Sequence, residues 1–188
     1  MLVGKKVILR TLRPADLDVL YDLAADARDL GDYYPLSLPS EIRWRNQFGE
    51  TGWWEEERGG LLITNHAGKL VGQIGFFQAA RYLSTYEIAY RLYGREHWGQ
   101  GYMSEAAQLM VAYLFSVKPI NRLQATIFPE NTASRRVLEK CGFKTEGVMR
   151  QVVFHHGALR DLELLGVLRG DHVPLKDLLA SDDVGNEN

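Results

Sequence analysis

The residues with the clearest chemical potential form a short glycine turn, W-G-Q-G-Y-M-S at residues 98–104, that directly precedes a strongly periodic helical segment. Glycines let a backbone turn tightly and approach a ligand, and the free amides and positive dipole end at a helix start favour phosphate. No Lys-Ser/Thr pair follows the turn and three-glycine dinucleotide spacing is missing, so neither nucleotide-binding motif fits. The turn predicts a diphosphate site without Mg²⁺, although a plain tight loop explains Gly99 and Gly101 equally well.

A second polar run lies downstream, P-E-N-T-A-S-R-R-V-L-E-K-C-G-F at residues 129–143, with Asn131 before a short helix and Ser134 one turn later. Together with the glycine turn and the Gly-Phe helix exit, this run resembles the GNAT family of acetyl-CoA-dependent N-acetyltransferases. Residues 7–16 and 147–161 extend the resemblance over most of the chain, toward the ribosomal-protein N-terminal (RimJ/RimL-like) branch. Trp98 departs from the Arg or Gln that often opens the family's phosphate turn, so binding there would depend on backbone amides.

The resemblance implies an α/β fold of the α+β type, with a mixed, mostly antiparallel sheet, helices on both faces and a splayed pair of central strands. Acetyl-CoA would enter this splay as co-substrate, and its pantetheine arm would pair with the backbone from Tyr90 to Leu92 like a short extra strand. Asn131 and Ser134 would line the other side of the arm. The amides expected to hold the diphosphate belong to Gln100, Gly101, Tyr102, Met103 and Ser104.

The implied reaction is direct attack of a neutral amine on the acetyl thioester in a ternary complex, with backbone amides stabilising the oxyanion. Removing the amine's proton at pH 7 costs about 1 kcal/mol for an α-amino group and about 4.6 kcal/mol for a lysine side chain. A protein or peptide amino terminus is therefore the favoured acceptor. A small amine or amino sugar is the next choice, and a non-catalytic acyl-CoA sensor with the same fold is the rival from another class.

Two side chains are candidates for proton transfer. Glu87 is the candidate base, since its strand leads to the glycine turn, and a solvent-facing charge is the equal alternative. Ser134 is the candidate acid for the departing thiolate, unless its hydroxyl only joins the helix cap of Asn131. Asn131 itself is explained by capping alone or by capping together with a cofactor contact.

Aromatic residues concentrate in the region that roofs the acceptor pocket in the family. Aromatic walls can hold an amine by cation–π contact or pack a peptide, while core packing is slightly favoured for Trp53 and Trp54. Asp32 and Glu41 could attract a cationic acceptor. The aromatic set is Tyr33, Tyr34, Trp44, Trp53 and Trp54.

Three further residues with reactive side chains are weaker candidates for a catalytic role. His155 and His156 stand at a hairpin tip, where adjacent histidines are usually exposed, and they are alternative titrating groups. Cys141 falls on the inward side of its helix, so we interpret it as a small buried apolar residue and not as an acyl-carrying nucleophile.

Periodicity predicts the elements that must position these residues. Residues 86–92 alternate as a strand with Glu87 and Tyr90 on opposite faces. A helix over residues 103–115, a strand over 123–127 and a helix over 131–141 follow, which is a parallel crossover pattern. Before them we expect a strand at 5–12, a helix from Pro14, a loop at 31–40, a helix at 41–58 and a hairpin at 61–77. A last hairpin joins 149–154 to 162–168.

Composition bounds the remaining questions. The chain has 188 residues, 46% hydrophobic residues and a net charge of -2, which predicts one globular domain over residues 1–180, a polar tail at 181–188 and no affinity for nucleic acid. The single cysteine and the absence of a metal-ligand cluster fit a reducing cytoplasm and no metal. No membrane segment or signal peptide is expected, and the partners are acetyl-CoA and an amine acceptor, with the chain a monomer or homodimer.

Overall fold

The computed structural model describes residues 1–26, 31–35 and 37–180. Its strands are β1 (Leu2–Val3), β2 (Val7–Arg10), β3 (Arg58–Asn65), β4 (Leu70–Gln78), β5 (Thr85–Leu92), β6 (Arg122–Ile127), β7 (Lys144–His155) and β8 (Ala158–Leu168). Its α-helices are α1 (Leu17–Ala25), α2 (Glu41–Thr51), α3 (Tyr102–Val117), α4 (Thr132–Glu139) and α5 (Leu175–Leu178). The predicted polar tail at 181–188 and part of the predicted loop at 31–40 lie outside the described residues.

All eight strands form one sheet in the order β1-β2-β3-β4-β5-β6-β8-β7. Every neighbouring pair is antiparallel except β5 and β6, which run parallel and are joined through α3. Parallel neighbours need a long crossover, and α3 supplies it. The mixed, mostly antiparallel sheet and the crossover expected from the sequence are both confirmed.

The sheet opens between its two parallel strands. β5 pairs with β6 only where residues 85–87 lie opposite residues 122–124, whereas β4 accompanies β5 over its whole length. Beyond Glu87 the side of β5 that faces β6 therefore has no partner strand. We call this opening the strand gap; it widens toward the carboxyl end of β5, from which the chain continues to α3.

Helices cover both faces of the sheet because the strands alternate. On β3, Leu61 and Ile63 belong to the main core under α3 and α4, whereas Leu62 joins a smaller cluster with Leu20 of α1 and with Tyr93. The periodicity predicted for α3 is confirmed, since its apolar side chains fill the main core. Within the described ranges, no helix is both long and apolar enough to cross a bilayer.

Two predicted boundaries are wrong for identifiable reasons. The helix expected over residues 41–58 ends at Thr51, because Gly52 takes the left-handed conformation (φ +61°) that terminates helices. The strand expected from residue 149 begins five residues earlier, at Lys144, and has an irregular register around Gln151, whose φ is +50°. The polar, exposed first half of β7 carries little apolar alternation, so its sequence pattern does not reveal it.

Candidate active site

The glycine turn presents a row of free amides at the start of α3. Gly99 and Gly101 both take positive φ angles, +71° and +82°, which turn the chain sharply into the helix. The first helical bond runs from the Glu105 amide to the Gly101 carbonyl, at 3.1 Å. In the part of the chain that the structure describes, no protein acceptor lies opposite the amides of residues 99–104. Such a row at a helix start suits an anion, as the sequence predicted for these residues.

Lys6 brings a positive charge to this turn, which the sequence did not predict. The Glu105 carboxylate accepts hydrogen bonds from the amides of Lys5, Lys6 and Val7 at 2.9, 2.7 and 2.8 Å. This clamp holds the turn between β1 and β2 against α3, and the Lys6 ammonium donates to the Gln100 carbonyl at 3.0 Å. The two residues are 94 positions apart, so no local pattern could have linked them.

Glu87 lies at the strand gap on the side of the sheet covered by α1 and α2. Its carboxylate accepts hydrogen bonds from Gln124 Nε2 at 2.9 Å and from Thr126 Oγ1 at 2.6 Å. The side chain is half-buried, so the carboxylate is held by these two bonds and is partly accessible to solvent. Because a carboxylate has about four acceptor positions, two remain for a proton from a substrate.

Tyr90 lies three residues further along β5 and therefore points to the opposite face. Its hydroxyl is 2.8 Å from Ser134 Oγ and 3.3 Å from the Ser134 carbonyl oxygen. Burial raises the pKa of the Tyr90 phenol, so it stays protonated and can serve as a proton donor. The sequence predicted a role only for the Tyr90 backbone. The alternation along β5, which places the Tyr90 side chain on the face opposite Glu87, was the signal that could have indicated a role for its hydroxyl.

Asn131 caps α4, as expected. Its side-chain oxygen accepts from the Ser134 amide at 3.0 Å, which leaves its own amide group free toward a ligand. The Ser134 hydroxyl bonds Tyr90 and not the cap. Leu92, at the end of β5, has no partner strand on the side facing the gap, and this is the backbone assigned to the pantetheine arm.

Helix α4 is anchored to the sheet by a buried ion pair. The Arg135 guanidinium donates to both carboxylate oxygens of Glu163, and Thr145 Oγ1 donates to the same carboxylate at 2.6 Å. Arg135 holds the pKa of Glu163 below its usual range. Since Ser134 directly precedes Arg135, this pair fixes the helix turn that carries the candidate acid.

A cavity of about 420 Å³ lies between the sheet and the helices α1 and α2. Its floor is formed where Gly60, Gly75 and Ala89 lie side by side on three adjacent strands, since these residues leave no bulky side chain to fill the space. Four aromatic residues form much of its wall: Tyr34, Trp44, Trp53 and Tyr93. We call it the aromatic cavity. Glu87 lies two residues before Ala89 on the same face of β5. It is paired with Phe77 of β4, which lines the cavity.

The predicted aromatic set is only partly brought together. Trp53 lines the aromatic cavity, whereas Trp54 packs against Phe76 on the other face of the sheet, with ring centroids 5.5 Å apart. Tyr33 packs against Phe128 at 5.6 Å, away from the cavity. Both tryptophans pack against buried apolar clusters, Trp54 against the main core and Trp53 against the smaller cluster beside the cavity, as the slight preference for core packing expected.

The predicted acidic attractants do not line the aromatic cavity either. Glu41 pairs with Arg45 on the exposed side of α2, and the Asp32 carbonyl oxygen lies 2.7 Å from His155 Nε2. That contact buries His155, against the expectation that both histidines are exposed; His156 is exposed. Neither prediction therefore supplies a charge to the cavity.

Cys141 is buried, as expected. Burial raises the pKa of its thiol to about 12, so almost none of it is thiolate near neutral pH. The interpretation of Cys141 as an apolar packing residue is supported by this environment.

Arg91 is a charged residue in the lining of the aromatic cavity. Its guanidinium lies 4.7 Å from the Tyr34 ring centroid and 4.6 Å from that of Tyr93, and Nη2 donates to the Leu23 carbonyl at 2.9 Å. Strand alternation places Arg91 on the same face of β5 as Glu87, but its sequence context predicts no role for it. Only the packing of α1 and of Tyr34 over β5 places it in the cavity.

Comparison with known proteins gives consistent results. A family model described as "Acetyltransferase (GNAT) domain" matches residues 6–144. The "Probable N-acetyltransferase YjcK" of Bacillus subtilis (strain 168) is 32% identical over 181 residues, covering 91% of this chain and 98% of that protein.

Two solved structures extend the comparison. RimJ of Mycobacterium smegmatis in complex with CoA-disulfide superposes with a TM-score of 0.72 at 25% identity, covering 86% of this chain and 81% of that one. Spermidine N-acetyltransferase from Vibrio cholerae in complex with CoA and spermine has a TM-score of 0.77 at 17% identity, covering 88% and 96%. At 17% identity the second likeness concerns the fold alone.

Proposed function

Because the chain belongs to the GNAT family and is an acetyl-CoA-dependent N-acetyltransferase, we propose that its acceptor is the α-amino group of a protein or peptide. The observation that carries the proposal is the strand gap, with Glu87 on one face of the sheet and the Tyr90–Ser134 pair on the other. A base on one side and an acid on the other are what transfer from a thioester to an amine requires.

The co-substrate's sites follow from the unpaired backbone. The amides of Gln100 to Ser104, with the Lys6 ammonium beside them, suit the diphosphate. The free edge of β5 from Tyr90 to Leu92 suits the amides of the pantetheine arm, and the side-chain amide of Asn131, at the start of α4, is the donor proposed for the other side of the arm. Bound there, acetyl-CoA supplies an activated acetyl group and a thiolate leaving group.

Glu87 acts as the base on the acceptor side. Gln124 and Thr126 fix its carboxylate, so it takes the proton of the incoming ammonium directly or through one water. An α-amino group loses its proton at a cost of about 1 kcal/mol at pH 7, which a single half-buried carboxylate can meet.

The Tyr90–Ser134 pair acts as the acid on the other side. As the bond between the acetyl carbon and sulfur breaks, the Ser134 hydroxyl passes a proton to the sulfur and is replenished from the Tyr90 phenol, or Tyr90 donates directly. Burial raises the pKa of Tyr90, so the phenol is protonated at neutral pH.

The aromatic cavity favours a peptide over a polyamine. Glu55 is the carboxylate in its described lining, and Arg58 pairs with it at 2.8 Å. Beyond Glu87 at the edge, a polycation would thus meet no unpaired carboxylate among the described lining residues. A small amine is the second candidate, since about 420 Å³ is the volume of a small-molecule pocket.

The test is to incubate the purified protein with acetyl-CoA and four acceptor classes while following release of free thiol. The classes are peptides with free amino termini, N-terminally blocked lysine peptides, polyamines and amino sugars, and mass spectrometry locates the acetyl group. We expect thiol release with the first class only. Preferential turnover of a polyamine or amino sugar overturns the peptide assignment, and binding of acetyl-CoA without turnover of any class identifies a sensor.

A further inference from the structure

Three residues that line the aromatic cavity carry four buried side-chain donors with no hydrogen-bond partner among the described residues. Among the described residues, the buried side-chain nitrogen and oxygen atoms that lack any hydrogen bond are Arg91 Nε, Arg91 Nη1, Trp44 Nε1 and Trp53 Nε1. All three residues line the same cavity. Native proteins satisfy nearly all buried polar groups, and an exception calls for a specific explanation such as an absent ligand. All four atoms are donors, so a ligand that satisfies them must accept hydrogen bonds.

The charge of the cavity points to an anion. In the described part of the chain, no carboxylate lies within ion-pair distance of Arg91, whose neighbours are the rings of Tyr34 and Tyr93. Glu55, the carboxylate among the described lining residues, is already paired with Arg58. A guanidinium that is buried without a counter-charge is costly, and a ligand carboxylate would compensate it.

We propose that the acceptor peptide carries a carboxylate side chain near its amino terminus, that Arg91 binds this carboxylate, and that the Trp44 and Trp53 indoles donate to neighbouring acceptor oxygens of the peptide. The inference rests on the proposed function, because it takes the reacting amine to lie at Glu87. It assigns the specificity of the cavity to acidic amino-terminal sequences.

Spacing along β5 selects a peptide over a free amino acid. Glu87 and Arg91 lie on one face, four residues apart, which is about 13 Å between their Cα atoms. An amine and a carboxylate on one α-carbon cannot span that distance. An extended peptide advances about 3.4 Å per residue, so an Asp or Glu at the second or third position reaches Arg91 while the amine stays at Glu87.

Binding can be measured without any chemical step by calorimetry with N-acetylated product peptides. Ac-Ala-Asp-Ala-NH2 and Ac-Ala-Ala-Asp-NH2 are compared with their Asn counterparts, with free N-acetylaspartate and with spermidine. We expect at least one Asp peptide to bind about tenfold or more tightly than its Asn counterpart, as for a charged hydrogen bond, and more tightly than N-acetylaspartate. Equal binding of Asp and Asn peptides, or tighter binding of spermidine or of N-acetylaspartate, overturns the proposal.

Variants assign the effect to Arg91. Arg91→Gln should bring the Asp/Asn ratio close to one, while Arg43→Gln, which removes the same charge from the exposed side of α2, should leave it unchanged. An Asp/Asn ratio that stays high in Arg91→Gln contradicts the assignment.

A second variant, Gly60→Val, is needed because Arg91→Gln also loses the contact with Leu23. The valine side chain blocks the cavity, and it fits without a clash because a Cβ at Gly60 meets no atom within 4 Å. This variant should weaken the binding of both the Asp and the Asn peptide. Unchanged binding of both peptides overturns the proposal that they bind in the aromatic cavity.

Turnover separates this inference from the proposed function. The same peptides with free amino termini are assayed for thiol release. If the Asp peptide binds more tightly than the Asn peptide but neither is acetylated, the proposed function is rejected and the carboxylate subsite is kept. Turnover of Asp and Asn peptides with equal kcat/KM keeps the function and rejects the subsite.

Discussion

The Thr126 hydroxyl donates to the Glu87 carboxylate at 2.6 Å, across the strand gap and beyond the last paired residues of β5 and β6. The two strands have already stopped sharing backbone hydrogen bonds at this point, so the side-chain bond is what connects the walls of the gap. It fixes the carboxylate at the edge of the aromatic cavity. The position and the orientation of the candidate base thus come from the same local separation of strands.

Replacing Glu87 by Gln should lower kcat about a hundredfold at pH 7 with an α-amine acceptor, the usual scale for a general base. Above about pH 9 the loss should shrink, because the free amine is then abundant without enzyme assistance. The measurement is kcat from pH 6 to 10 for both proteins. A loss of the same size at every pH excludes Glu87 as the base, and Thr126→Val is the matched variant that perturbs only its orientation.

Tyr90→Phe should reduce kcat about a hundredfold while leaving the affinity for CoA nearly unchanged, because it removes a proton donor and little packing volume. Ser134→Ala should act similarly, and the double variant should lose little more than either single one, since the two hydroxyls form one relay. Both losses should diminish with an acetyl thioester of a more acidic thiol, which leaves without a proton. Full additivity, or a loss independent of the leaving group, assigns the pair a structural role.

Lys6→Ala should weaken CoA binding about twofold to fivefold at low ionic strength, because the ammonium lies at the glycine turn but is exposed to solvent. The difference should decrease as salt is added. Lys5 is also exposed and has no side-chain contact to the turn in the described structure, so Lys5→Ala serves as the control of equal charge. Calorimetric titration measures the Kd for CoA of the wild type and of the two variants. Equal changes in Kd for Lys6→Ala and Lys5→Ala argue against a specific contribution of Lys6.

The Glu163 carboxylate should make stability depend on pH. Arg135 lowers its pKa in the folded protein, so its contribution is present above the unfolded value of about 4.3 and is lost as the pH falls through the lower folded value. At pH 7, Glu163→Gln should cost about 1–3 kcal/mol of unfolding free energy. The difference in Tm between wild type and variant should narrow below about pH 4. Exposed Glu50 on α2 provides the control substitution, Glu50→Gln. A Tm difference between wild type and Glu163→Gln that stays constant down to pH 3 contradicts the linkage.

The sequence alone was sufficient to predict the parts of the candidate site that lie within one helix or strand, or between two consecutive elements. Strict alternation put Glu87 and Tyr90 on opposite faces of β5, and glycines before a periodic helix marked the amides of residues 99–104. These features depend on backbone geometry, which repeats every two residues in a strand and every 3.6 residues in a helix. The same periodicity gave the crossover from β5 through α3 to β6.

Tertiary structure decided which distant segments meet. Adjacent Trp53 and Trp54 pack on opposite faces of the sheet because Trp53 has a positive φ of +56° after the helix-ending Gly52, a backbone state that composition does not reveal. Lys6 reaches Gln100 only through the Glu105 clamp. Arg91 becomes a half-buried cation with no carboxylate partner among the described residues only because Tyr34 and α1 pack over β5. Contacts between residues so far apart in the chain depend on how whole elements pack, and local periodicity carries no information about that.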